Sequence, residues 1–373
     1  MTNPFIAALA GTGSYPIDRR TAIPLVNQRL GNYQLWHQQG ETERPQWLLE
    51  ILRRLLGLRG MRVSGGNFES YTGFPEVEYD GATLDIPAWV LDISSEMRQA
   101  AEVLVQMYGQ HWQRPVLAGF PMPTMDFVEF AFLKNPRLQA AFKEACAKVS
   151  LEEINTVYQA LGSYMVLCLE SPGSLVGMHM AQTNGANLQD AAWRIAGEFV
   201  EFARRLPREL PLALHLCRGD LGHQSWFGRI DSLEPMVVLA NSIAHRFAGA
   251  GMSIPTMFLP TCAGDVAPSL DEQFFRPLHD LSSQIPVILA NVHEMRTLDP
   301  DISLEDAIAH NLRSTEMATR ALGWPGQGTD NLPVAVSFSC GGARMDPMNW
   351  QFGLDVQAGM ANAAGLHGPV TPL

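Results

Sequence analysis

The residues best equipped for chemistry are His215 and Cys217, two positions apart in Pro211-Leu-Ala-Leu-His215-Leu-Cys217-Arg-Gly-Asp220. The uncharged run before them reads as a strand buried on both faces. On a strand, residues two apart face the same side, so an imidazole and a thiol would project together from its C-terminal end. That pair is half of a zinc site. Taken alone, the same pair also describes a core histidine beside a buried free cysteine. A third donor decides between the two readings, and Cys340, in Ser339-Cys340-Gly-Gly342, is the candidate. A His/Cys/Cys set leaves zinc one open position, the pattern of a catalytic site. A thiol substrate entering that position would be held as the thiolate.

For these residues to meet, the chain must bring distant strand ends to one rim. Apolar runs mark strands at Ile6 to Ala10, Met61 to Asn67, Pro115 to Phe120, Tyr164 to Leu169, Pro211 to Cys217, Ile254 to Leu259, Ile285 to Ala290 and Leu332 to Phe338. Helical periodicity falls between them: Glu43 to Leu58, Glu96 to Tyr108, Asp126 to Leu161 (broken near Asn135-Pro136), Leu188 to Arg205, Leu233 to Phe247, a helix after Ser303 capped with Asp306, and Trp350 to Ala364. Eight strands alternating with helices predict an α/β fold, a (β/α)8 barrel. Alternation around Asp80-Gly81 predicts a small hairpin insert after strand two. No linker or short repeat divides the chain, so a single domain over 1–373 is expected. Asn67, Glu170, His215, Cys217, Cys262, His293 and Cys340 then all fall just past strand ends, the active-site face of such a barrel.

Composition narrows the function further. The chain has 373 residues, 46% hydrophobic and 17% charged, with a formal net charge of −12. That balance, with no Lys/Arg-rich run, argues against nucleic acid. The start lacks the basic region of a signal peptide and no apolar run is long enough to span a membrane. A cytoplasmic protein is expected, with a small-molecule thiol and an alkyl donor as partners and homo-oligomerisation left open. Five scattered cysteines read as reduced thiols or ligands rather than a disulfide framework.

Gly13-Ser14-Tyr-Pro16, His215-x-Cys217 and Ser339-Cys340-Gly341 together resemble the zinc barrel of cobalamin-independent methionine synthase, over most of the chain. The resemblance implies a (β/α)8 barrel whose Zn²⁺ activates a thiol for alkylation, with His215, Cys217 and Cys340 as ligands. Glu170-Ser-Pro172 falls where that family carries Asp-Glu-Pro. His293-Glu-Met-Arg296 resembles its His-Ser-Pro-Arg segment, whose histidine acts as an acid during transfer; the plainer alternative for His293 is a hydrogen bond to a loop carbonyl.

Three departures matter. Gly66-Asn67 stands where methionine synthases carry Gly-Glu, the carboxylate that receives the homocysteine amine; losing that charge-assisted contact costs ~1–3 kcal/mol. Glu170 replaces an aspartate that serves the same amine. The glutamate ligand at the end of strand six is absent, where Leu259-Pro-Thr-Cys262 offers only Cys262. These changes point to a thiol that is not an amino acid, as in the epoxyalkane:coenzyme M transferase branch, where coenzyme M thiolate opens a small epoxide to a hydroxyalkyl thioether. Methyl transfer to homocysteine or another thiol is the alternative. On either reading the expected substrate contacts are Gly13 and Ser14 through backbone N–H groups, Asn67, Glu170, Arg218 and Arg296, with His293 as the acid. A barrel that binds without turnover, and a metal-free barrel decarboxylase, are the competing classes; measured zinc separates them.

Overall fold

The computed structural model describes residues 6–10, 15–31, 33–38, 53–65, 76–81, 85, 87, 90, 102–103, 105–106, 115–122, 136–219, 223–323, 334–340 and 345–366. Ten strands occur among them: β1 Ile6–Leu9, β2 His37–Gln38, β3 Met61–Gly65, β4 Glu76–Tyr79, β5 Val116–Pro121, β6 Met165–Glu170, β7 Leu212–His215, β8 Thr256–Pro260, β9 Val287–Val292 and β10 Val334–Phe338. Eight form one parallel sheet in the order β1-β10-β9-β8-β7-β6-β5-β2.

The sheet curls until its two ends meet. Leu9 N–H donates to the Tyr33 carbonyl at 2.7 Å, and Leu35 N–H donates to the Leu9 carbonyl at 2.7 Å, just before the chain enters β2. An apolar cluster fills the inside: Ala8, Trp36, Leu117, Val166, Ala213 and Phe258, joined by Ile288, Ala290 and Ala335. It draws on β1, the approach to β2, and β5 through β10. Small alanines on four strands leave room for Trp36 and Phe258, whose rings sit 5.9 Å apart. The outward faces of the same strands pack with the helices in a second, larger core. Burial on both faces is why β5, β6 and β10 are mainly apolar, with every residue buried; Glu170 closes β6 and Ser337 is the polar residue of β10.

Helices carry their expected signals. The helix Leu188–Ala203 starts at Asn187, whose side chain accepts from Gln189 N at 2.8 Å and Asp190 N at 3.1 Å. Its Ile195 and Phe199 are fully buried. The helix Leu304–Ala321 is capped by Ser303, which accepts from Asp306 N at 3.1 Å. Among the described residues no helix is long and apolar enough to cross a membrane.

Three elements differ from expectation. Met61–Gly65 is a strand, but it pairs antiparallel with Glu76–Tyr79 in a separate two-stranded sheet. Its Arg62, Val63 and Ser64 are exposed, and a strand with that solvated stretch cannot sit in a sheet buried on both faces. The hairpin expected to turn at Asp80-Gly81 after that strand is not what forms: Glu76–Tyr79 pairs back with Met61–Gly65, the segment read as the barrel's second strand. The large sheet takes His37–Gln38 there instead. The helix Pro172–Thr183 was also hidden, because Pro172, Gly173 and Ser174 weaken its helical signal. The helices expected over 43–58, 96–108 and the first part of 126–161 lie largely outside the described residues.

Candidate functional site

β6 and β7 are parallel neighbours, and their register sets Glu170 beside His215. Both side chains are buried at the C-terminal end of the sheet. The Glu170 Oε2 accepts a hydrogen bond from His215 Nδ1, while its Oε1 accepts from the Cys168 thiol at 3.5 Å. The other imidazole nitrogen, Nε2, lies 2.9 Å from the Ser339 carbonyl, just beyond β10. β10 is three places from β7 in the strand order, so this bond crosses the inside of the curled sheet. A carbonyl can only accept, so Nε2 carries a proton, and the carboxylate takes the one on Nδ1. Burial works against a charged ring here, but Glu170 outweighs it, and the His215 pKa is raised to about 10.

Cys217 lies two residues past β7. Its Sγ accepts the Gly219 N–H at 3.3 Å, a contact made by Gly219 turning into the left-handed region at φ 78°. Only glycine takes that conformation without strain. The Cys217 side chain is hydrogen-bonded to that of Cys340. That contact lowers the Cys217 pKa first of all; burial opposes it and the nearby His215 assists. The three residues singled out as zinc donors are thus neighbours at one rim, two thiols in contact and an imidazole locked by a carboxylate.

Whether they fit a metal is a matter of donor chemistry. Among the described residues no group of three His, Cys, Asp or Glu side chains has the convergence of a formed metal centre. The set nonetheless has the make-up of a zinc site: two soft sulfurs, one inclined to thiolate, and one imidazole oriented through its second nitrogen by a buried acid. A zinc ion would compete with the Ser339 carbonyl for Nε2. Cys262, weighed as a fourth donor, is fully buried and its thiol points at the Ala290 and Val292 carbonyls, 3.8 and 3.7 Å away. Burial pushes it up to about 12, so it stays a thiol.

Glu170 was expected to contact the substrate. Both of its oxygens are engaged within the protein, by His215 and Cys168, and its place is that of a carboxylate orienting the imidazole. Gly13, Ser14 and Asn67 lie outside the described residues; Asn67 follows a strand of the two-stranded sheet rather than of the large one. Arg296 stacks on the Phe352 ring at 3.8 Å. Arg218 is 4% exposed and donates through Nη2 to the Gly228 carbonyl.

His293 belongs to a second polar cluster past β9. Its Nδ1 lies 2.7 Å from the Met295 N–H that donates to it, and Nε2 donates to the Gly264 carbonyl at 3.1 Å. Asn311 clamps its backbone, accepting from His293 N at 2.8 Å and donating to its carbonyl at 3.0 Å. Burial lowers the His293 pKa, with Glu294 opposing, so the ring is neutral at pH 7. Next to it, Glu294 is fully buried, 3.2 Å from His293 Nδ1 and 3.9 Å from His223 Nε2, and it accepts the Thr297 N–H at 3.1 Å. His223 and Met295 are the two non-glycine residues with positive φ among those described, at 63° and 68°. Backbone strain at such positions persists only where the surroundings enforce it, and it gathers at functional sites. Nothing in the sequence marked His223, because its position depends on a turn rather than on periodicity.

Burial alone would raise the Glu294 pKa, but His223, His293 and the Thr297 N–H bring it down to about 2. A depressed carboxylate stabilises the fold above its unfolded value, here 4.5, and that stability is lost as pH falls from there toward 2. The stability difference between wild type and Glu294→Gln is therefore expected to be constant above pH 5 and to shrink below 4.5. Denaturation at a series of pH values measures it; a difference independent of pH contradicts the assignment.

A curled parallel α/β sheet with a sulfur-rich cluster past its strand ends defines the class of fold. No protein-family model matches the chain, and no curated protein matches it in sequence. Its structure is similar to that of a B12-independent methionine synthase from Shewanella sp. W3-18-1 in complex with selenomethionine. The two share 12% identity at a TM-score of 0.56, over 96% of this chain and 97% of that one. It is also similar to a methyltransferase from Methanosarcina mazei, with 12% identity, a TM-score of 0.52, and 96% and 94% of the two chains covered. At such identity the likeness is one of fold.

Proposed function

We propose that this protein is a zinc-dependent enzyme that transfers a methyl or other small alkyl group to a thiol, on an eight-fold barrel formed by the curled sheet. The observation that carries this reading is the contact of Cys217 with Cys340 beside an imidazole held by Glu170, all at or just past the C-terminal ends of strands. The fold shared with a B12-independent methionine synthase supports it. His215 through Nε2, with the sulfurs of Cys217 and Cys340, would hold the metal. Zinc there would keep a substrate thiol ionised at neutral pH. Glu170 fixes the ring of His215, and the Gly219 N–H stabilises negative charge on Cys217. His293 is the candidate acid for the leaving group.

A second reading is opening of a small epoxide by the thiolate of coenzyme M, suggested by the sequence resemblance at Gly66-Asn67, although the strand before Asn67 belongs to the two-stranded sheet. The test crosses coenzyme M and homocysteine with epoxypropane and methyl donors, using protein whose zinc has been measured. About one zinc per chain and turnover of one pair are expected; methylated homocysteine selects the first reading and an opened epoxide the second. Protein that retains no zinc, or that is inert with every pair when loaded, refutes the proposal.

Glu170 supplies a further test. Partners that orient a metal-binding histidine are worth ~10–100-fold in metal affinity. Glu170→Gln is expected to weaken zinc by about that factor in competition with a chromogenic chelator. Unchanged affinity would leave the carboxylate with no part in metal binding.

A further inference from the structure

Beside this rim lies an open cleft of ≈ 740 Å³, between the loops that follow β7 and β8. Two of its lining residues hold polar atoms that are buried and without a partner among the described residues: Nη1 of Arg218 and Oγ1 of Thr261. Arg218 is 4% exposed and Thr261 1% exposed. Arg218 Nη2 is already committed to the Gly228 carbonyl, which leaves Nη1 as the unpaired end of the guanidinium. Buried donors left unpaired lose their hydration for nothing in return, and native proteins keep few of them unless something arrives to accept. An oxyanion with two or three acceptor oxygens satisfies both groups at once.

The charge of the lining selects among oxyanions. Arg218 and Arg229 face Asp231, Asp265 and Asp271, three carboxylates against two guanidiniums. Asp265 is itself tied down, accepting the Ser225 N–H at 2.9 Å, and it is close enough for Arg218 to feel its charge. His310 donates no help, since its Nε2 lies 2.9 Å from the Pro268 carbonyl. Such a wall repels a doubly charged phosphate but accommodates one negative charge. Phe274 and Val266 add apolar surface suited to a short carbon chain. Arg218 directly follows Cys217 in the chain, which ties one wall of the cleft to the thiol pair, although neither Cys217 nor Cys340 lines it.

We propose that this cleft binds the singly charged carboxylate or sulfonate end of the substrate, with Arg218 and the Thr261 hydroxyl as donors. It rests on the alkyl-transfer reading only in taking that anion for part of the substrate. Thiol-free probes separate the two: propionate, propanesulfonate and inorganic phosphate, titrated calorimetrically into the whole protein. Propionate or propanesulfonate is expected to bind at least about 10-fold more tightly than phosphate. Affinity should fall about 10-fold or more in Arg218→Met and several-fold in Thr261→Val, consistent with loss of charge-assisted and neutral hydrogen bonds. Neither monoanion binding, phosphate binding as well as they do, or Thr261→Val leaving their affinity unchanged overturns the proposal. Thr261→Val, nearly isosteric, decides the matter if Arg218→Met does not fold. In alkyl-transfer assays, 3-mercaptopropionate or 2-mercaptoethanesulfonate should outperform 2-mercaptoethanol. Probe binding without any thiol alkylation would leave the cleft assigned and refute only the transfer reading.

Discussion

Cys217→Ala is expected to lose its zinc and to reduce alkyl transfer to background while remaining folded, and Cys340→Ala is expected to do the same. Each supplies one of two sulfurs in mutual contact, and removing either leaves His215 with a single thiol. Two donors do not make a zinc site; the fully liganded protein sites have four positions filled and the catalytic ones three. Retention of the fold follows from position. Cys217 lies past the end of β7 and Cys340 past the end of β10, so neither side chain fills the apolar cluster inside the sheet. The expected signature is zinc near zero by elemental measurement, activity lower by at least ~10³-fold, and a thermal transition close to wild type. Full zinc in either variant removes that cysteine from the ligand set. Loss of activity with zinc intact would recast the thiol as a substrate contact.

How far these residues could be read in advance depends on what kind of signal each carries. β5 through β10 were legible because a strand covered on both faces must be apolar along its length, and such runs are rare outside sheets. His37–Gln38 carries no such signal; two polar residues become a strand only because β5 lies alongside and the end of β1 joins the chain just before them. Met61–Gly65 shows the converse, a strand-like run assigned to the wrong sheet. Its burial, which sequence does not print, decides the partner. That His215 ends a strand and that Cys217 and Cys340 follow strand ends was legible from the apolar runs alone. The path of Cys217 was not: it reaches Cys340 past the strand, on a turn set by Gly219, rather than by projecting from β7. The engagement of Glu170 with His215 depends on the register of β6 against β7, and register is invisible until the sheet is assembled.

His293→Ala is expected to lower turnover by ~10²–10⁴-fold, the usual contribution of a positioned acid, without releasing zinc. A proton is needed as the bond breaks: an opened epoxide leaves an alkoxide, and a methyl donor whose leaving group is basic has the same need. With a substrate thiol at the open position of a zinc that His215, Cys217 and Cys340 would hold, the proton must come from elsewhere. His293 holds one on Nε2, shared with the Gly264 carbonyl, and its Nδ1 faces both the Met295 N–H and Glu294. A neutral imidazole with its pKa lowered by burial is a weak acid in water. The donating form is therefore the imidazolium, which Glu294, buried and ionised beside the ring, favours; passing its Nε2 proton to the leaving group returns the neutral imidazole. Two controls separate this role from simple support of the loop. His293→Gln, which keeps a donor but cannot titrate, should stay folded yet remain as slow as His293→Ala, and the pH profile of kcat should lose one limb in both. Either variant turning over at near wild-type rate, or an unaltered pH profile, would reduce His293 to a structural clamp on Gly264 and pass the proton to another donor, with Tyr15 next in line.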